Sequence, residues 1–156
     1  MIAEITNADG KNIDANTAAP INLTLHSMFR EIEMEFNGRN VGDTGQLYPY
    51  CSVLESLLNL FKELQETRLL NERWKKDTSG RMNVTAVGRT NAGFNACAAT
   101  YAKSTLVELI NRHHLDVFHQ ERLIPLNIDL YMKLIPSPKD FVCKSAAPVA
   151  NTQQEN

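Results

Sequence analysis

From Arg30 to Val41 the chain reads REIEMEFNGRNV, with Ile32, Met34 and Phe36 alternating against Glu31, Glu33 and Glu35. A period of two puts the apolar side chains on one face of a strand and the carboxylates on the other. A helix would send the apolar residues to opposite sides. It would also set Glu31 against Glu35 at i,i+4, a repulsion of about 0.2–0.5 kcal/mol. Burying three such apolar side chains is worth about 1.5–3 kcal/mol each, so the strand is the better solution. Asn37-Gly38 follows, the pair best suited to the two positive φ angles of a type I′ turn. The pattern predicts a hairpin that returns through Arg39-Asn40-Val41.

A different period governs YPYCSVLESLLNLFKELQET. Leu54, Leu57, Leu58, Phe61 and Leu64 form one helical stripe, with Glu55, Asn59, Lys62, Glu63 and Glu66 outside it. Pro49 suits a first turn, and the spacing predicts a helix from about Tyr50 to Gln65. Strand character returns in LNIDLYMKLI, where Leu126, Ile128, Leu130, Met132 and Leu134 share a face until Pro136 and Pro138 stop the run. STLVELIN is β-rich, LDVFHQ alternates briefly, and DFVCK and Ile2 to Thr6 read as short strands. A turn is expected at Ser79-Gly80 and another at Asp9-Gly10. Val84 to Tyr101, rich in Gly, Asn and Ala, reads as a long surface excursion.

These elements predict a mainly β fold: an antiparallel jelly-roll β-sandwich, partial or single, with one inserted α-helix near residues 50–65. Its core strand faces would be Ile32, Met34 and Phe36 on one strand and Ile128, Leu130 and Met132 on another. Residues 1–20 form an N-terminal segment with a short strand, 21–145 the jelly-roll-like domain, and 146–156 a small, polar, disordered tail.

With 156 residues, 43% of them hydrophobic, the chain has the size of one domain and enough apolar mass for a core. A formal charge of −2 offers nothing to draw nucleic acid or an anionic membrane. No apolar run reaches the ~18 residues a membrane span needs, and the first residues lack the layout of a signal peptide. Asn22-Leu-Thr and Asn83-Val-Thr are therefore expected to stay unglycosylated. Cys51, Cys97 and Cys143 are odd in number and far apart, which argues for reduced thiols in an intracellular protein, cytoplasmic or nuclear and not secreted.

Candidate chemistry is sparse. Catalytic carboxylates need a cleft that splits their pKa values, and Glu31, Glu33 and Glu35 on one exposed strand face have none. His113, His114 and His119 form the densest cluster of ligand-type residues. On an extended chain, however, His113 and His119 lie about 20 Å apart at ~3.3 Å per residue, and His113 and His114 point apart. VGRTNAG lacks the ending of a phosphate-binding loop. Trp74, beside Lys75 and Lys76, suits core or partner contact better than stacking on a base. No catalytic, cofactor or metal residue is assigned.

The order of segments is more specific than any one of them. INLTLHSMFREIEMEFNGRNV, YPYCSVLESLLNL, WKKDTSGRMN, STLVELINRHHLDVFHQERLIP and LNIDLYMKLIPSPKDFVC resemble the major capsid proteins of Maverick/Polinton elements, which are virus-like DNA transposons. Leu25-His26-Ser27-Met28-Phe29, Tyr48-Pro49-Tyr50 and Asp116-Val117-Phe118-His119-Gln120 carry most of the likeness, which runs from about Asn7 to Cys143. The resemblance implies the first jelly roll of a double jelly-roll protein, truncated relative to the longer family chains. It departs at Pro125-Leu126-Asn127, where the family often has a glycine turn, and across Asn83–Ala99.

What the resemblance implies is a capsid structural protein, or a truncated or domesticated relative, and not an enzyme. Its partners would be copies of itself or a full-length capsid protein in a trimeric capsomer, without sequence-specific nucleic-acid binding and without a membrane. Its place would be a virion or virus-like particle. Candidate interface residues are Arg73, Trp74 and Arg122. Two other readings predict different behaviour. A host-retained jelly-roll binding module would capture protein or carbohydrate through its loops, and a metal-dependent enzyme would use His113, His114 or His119.

Overall fold

The computed structural model describes residues 1–7, 10–13, 18–84, 90–145 and 151–154. Alternation and turn chemistry act together at the first hairpin. β3 (Phe29–Phe36) buries Ile32 and Met34 and half-buries Phe36, while Glu31, Glu33 and Glu35 lie on its wetter side. Asn37 and Gly38 both take positive φ, 49° and 73°, and return the chain into β4 (Arg39–Asp43). A bulge between Met34 and Glu35 shifts the register of this pair. On its other side β3 pairs with β6 (Leu130–Pro136), also antiparallel, with Ile32 opposite Leu134, Met34 opposite Met132 and Phe36 opposite Leu130.

Two further antiparallel sheets complete the strands. β1 (Ile2–Thr6) lies between β5 (Val107–Glu108) and β8 (Asn151–Gln154), and β2 (Ala18–Pro20) pairs with β7 (Cys143–Ser145). One buried cluster joins them. Ala3, Ile5, Ile13 and Ala18 pack with Leu25, Met28, Ile32, Met34, Tyr48, Val107, Leu109, Leu115 and Val142. The first twenty residues thus supply core to the same cluster as β3.

Helices take as large a share as strands, so the architecture is mixed rather than mainly β. The short α1 (Thr24–Ser27) is wholly buried between β2 and β3. The predicted single helix is two: α2 (Tyr48–Asn59), with Pro49 in its first turn, and α3 (Lys62–Arg68), separated where Leu60 turns extended. The expected surface excursion contains α4 (Ala92–Thr100), capped by Asn91, whose side chain accepts from the Phe94 N–H; residues 85–89 of it lie outside the described residues. Phe94, Cys97 and Ala98 bury against Ala19, which is why an alanine-rich stretch without a clean period is helical. LDVFHQ is not a strand: Asp116–His119 is a short helix, α5, and DFVCK divides into α6 (Lys139–Val142) and β7.

Three further expectations meet the structure. β6 forms where its alternation predicts, but it is a sheet edge. Leu130 and Leu134 are exposed, Ile128 and Met132 only half-buried, and Leu126 stands in water before the strand begins. The second strand face is therefore not core in the way the first is: Met132, opposite Met34, packs against the main cluster, while Leu130 and Leu134 stay exposed. Part of the tail expected to be disordered pairs as β8 along β1; a free strand edge needs only backbone groups to recruit a partner, so polar composition did not prevent it. Residues 146–150, 155 and 156 lie outside the described residues, as does Asp9 of the predicted turn.

Candidate functional site

The helix α2 places its polar side inward. Tyr48, Ser52 and Ser56, spaced i, i+4 and i+8, are buried, and Ser52 Oγ donates to the Pro49 carbonyl at 2.8 Å. Small side chains let the helix lie close to β3. The cost is that Leu54, Leu57, Leu58, Phe61 and Leu64, the apolar stripe that the helical period picks out, face outward. Leu58 and Phe61 are 81% and 80% exposed. A groove of about 470 Å³ runs beside this stripe, lined by Leu23, Val53, Leu57, Leu69, Trp74 and Met82 among others.

Behind α2 is a buried polar chain. His26 is 1% exposed and sits between the Tyr48 hydroxyl, 2.7 Å from Nδ1, and the Glu72 carboxylate, 3.2 Å from Nε2. A carboxylate only accepts, so Nε2 carries the proton toward Glu72 and the Tyr48 hydroxyl donates to Nδ1. The same hydroxyl accepts the backbone N–H of His114 at 3.4 Å. Burial raises the pKa of Tyr48 well above the ordinary phenol value, so it remains a donor at any physiological pH. Glu72 is fully buried, and its second oxygen, Oε2, has no hydrogen-bond partner among the described residues.

The chain continues to the surface. His114 Nδ1 lies 2.6 Å from Glu55 Oε2, and the same oxygen is 3.9 Å from His119 Nε2. Burial lowers the pKa of His114, and the hydrogen bond it donates to Glu55 opposes that shift. Burial lowers His113 as well, and electrostatic coupling to the neighbouring imidazoles of His26 and His114 adds to the shift. Arg112 reaches the other nitrogen of His119, with its guanidinium 3.3 Å from Nδ1. Glu55, Arg112, His114 and His119 line a second cleft of about 470 Å³, together with Asn59, Arg68, Asn71 and Asn111.

Two of the three histidines singled out in the sequence thus come together, and the third does not. The segment is not extended: α5 turns it back and brings His119 beside His114, whereas the extended-chain distance concerns His113 and His119. Glu55, on α2, was read as solvated surface, and His26 and Glu72 carried no signal of burial; neither sequence spacing nor periodicity points to them. Of the strand carboxylates, Glu33 pairs across the sheet with Lys133 at 3.0 Å. Of the candidate interface residues, Arg73 and Arg122 are exposed and Trp74 half-buried in the apolar groove. Arg73 also takes a left-handed conformation, with φ 58°, where it ends the turn Leu69–Glu72.

A scan of protein-family models and searches of curated proteins and of solved structures each find no match for this chain. Among the described residues, no helix is long and apolar enough to cross a membrane.

Proposed function

We propose that the chain is a structural subunit that associates with copies of itself, after the pattern of the Maverick/Polinton capsid proteins that its segments resemble. The observation that carries this reading is the outward stripe of Leu54, Leu57, Leu58, Phe61 and Leu64. Exposed apolar patches of this kind mark association surfaces. A second surface complements it: the β6 edge, with unpaired backbone groups on one side and Leu126, Leu130 and Leu134 exposed along or before it. Two different sticky surfaces on one chain favour a head-to-tail contact, and such contacts generate rings when the rotation closes. A trimeric capsomer is one such ring.

In this reading the antiparallel sheets belong to a jelly roll that covers its open edges, β4 and β6, with neighbouring copies. The glutamates of β3 face solvent or a neighbour. The subunit does no chemistry, and its place is a virus-like particle. Size-exclusion chromatography with light scattering, followed by negative-stain microscopy, tests this. Concentration-dependent association into trimers, rings or larger shells is the expected result. A chain that stays monomeric at every concentration would sink the proposal.

A further inference from the structure

We propose that Glu55, His114 and His119 form a binding site for a divalent transition-metal ion, of the class represented by Zn2+. One donor atom from each residue lies within 4.8 Å of the other two. Two imidazoles and one carboxylate are a donor set that zinc accepts at about 2.0–2.2 Å per bond, with the fourth tetrahedral position left to water. Bonds of that length at tetrahedral angles hold the donor atoms about 3.3–3.6 Å apart. The distances from Glu55 Oε2, 2.6 Å to His114 Nδ1 and 3.9 Å to His119 Nε2, straddle that range. Small side-chain adjustments would bring the donors to that spacing, since all three already lie within 4.8 Å of one another. The fourth position would face the cleft beside Asn59 and Asn111.

The scaffold holds two of the ligands in place. Glu55 projects from the middle of α2, a helix of 12 residues. His114 is held by its backbone N–H on the Tyr48 hydroxyl and by edge-to-face contact of its ring with His26, 4.7 Å between centroids. His119 closes α5 and is more exposed, so it is the ligand free to move. The buried Glu72 carboxylate is near enough to act on His114 and adds negative potential behind the site.

Without metal, the protons sit on the wrong nitrogens. His114 Nδ1–H donates to Glu55, and the Arg112 guanidinium, a donor with no acceptor capacity, fixes Nδ1 of His119 as the unprotonated nitrogen. Metal binding moves each proton to the other ring nitrogen, so that His114 Nδ1 and His119 Nε2 present lone pairs. Each imidazole stays neutral with one proton. Arg112 must then swing away, because it can neither accept from a protonated Nδ1 nor sit comfortably beside a cation. Arg112 is thus a restraint on the site, and its removal should favour the metal.

The test uses the whole chain, stripped with a chelator and titrated with Zn2+ against a chromophoric competitor. One ion per chain is expected. Glu55→Gln and His119→Ala should each weaken binding by at least the about 10–100-fold that loss of an outer-shell partner costs. Both side chains are partly exposed, and far-ultraviolet circular dichroism would confirm that the variants fold. Arg112→Gln, whose amide oxygen can accept from Nδ1–H, should bind as tightly as the parent chain or more so. Absence of saturable binding would overturn the site. So would binding unchanged in Glu55→Gln and His119→Ala, which would put the ion on the cysteines, or weakened binding in Arg112→Gln.

Discussion

Ser56 and Leu57 are neighbours on α2 with inverted exposures: the serine is 2% exposed and the leucine 51%. The inversion follows from close approach. A small side chain lets the helix lie against β3, and the leucines are left to face outward. If this surface is an interface rather than misplaced core, polar substitution there changes association and leaves folding alone. Leu58→Glu and Phe61→Glu should shift stability by less than about 0.5 kcal/mol, the ordinary range for surface changes. They should also lower the weight-average mass in light scattering. A loss of several kcal/mol in thermal or denaturant unfolding would show that the stripe is buried.

The His26–Glu72 contact makes a second prediction. Glu72→Ala leaves the His26 Nε2–H buried without an acceptor, and a stranded group of this kind costs about 1–3 kcal/mol. Glu72→Gln keeps an acceptor oxygen and removes a buried charge whose Oε2 has no partner among the described residues, so it should cost clearly less. Denaturant unfolding of the two variants decides the matter. Equal losses would mean that the hydrogen bond to His26 contributes nothing.

Parts of this architecture were legible in the chain and parts were not, for physical reasons. The β3–β4 hairpin was legible because its signals are local: a period of two, then two residues that tolerate positive φ. The existence of a helix after Pro49 was equally legible. Its buried side was not, since periodicity identifies an apolar stripe but not which side the neighbouring sheet occupies. The β6 face failed in the same way, because alternation says which residues share a side and not whether anything covers them. The cleft was half legible. His114 and His119 stood out, but the extended-chain distance concerned His113 and His119, whereas one turn of helix at Asp116–His119 pairs His119 with His114, and Glu55 comes from 59 positions away in sequence. The buried Glu72 left no trace in the pattern at all.

Gly93 illustrates a glycine whose purpose lies in packing. In the sequence it belonged to a stretch that did not match a phosphate-binding loop. In the structure, a Cβ at this position would stand 2.5 Å from the Lys76 carbonyl oxygen and 2.9 Å from Asp77 Cα. The segment from Lys75 to Thr78 is tied there, with Asn22 donating to the Lys75 carbonyl and Asn91 to the Asp77 carboxylate. Gly93→Ala must push backbone away from backbone and should cost at least about 1–3 kcal/mol. Gly42→Ala is the control, since its Cβ would meet Leu115 at an ordinary 3.5 Å. Comparable unfolding midpoints for the two variants would refute the close approach.

Cys97 gives the protein a predictable response to alkali. Burial among Ala19, Phe94 and Ala98 pushes its thiol from 9.0 up to about 11, and the Asp77 carboxylate adds to the effect. In the unfolded chain the thiol ionises near its ordinary value. Between those two values the folded state holds a proton that the unfolded state has lost, so stability falls as pH rises. The slope from this one group approaches about 1.4 kcal/mol per pH unit. Below pH 9.0 its contribution is complete, and it is lost progressively as pH climbs toward 11. Tyr101, which burial raises to about 12, steepens the decline at the upper end. Denaturant unfolding across this range, compared with Cys97→Ala, isolates the thiol: the variant should lose less stability between neutral and alkaline pH. Alkylation makes the same point independently. Cys51 and Cys143, half-buried, should react with iodoacetamide before Cys97, which should label only on unfolding. Rapid labelling of Cys97 in the folded protein would mean that α4 opens readily, and the alkaline prediction would fail with it.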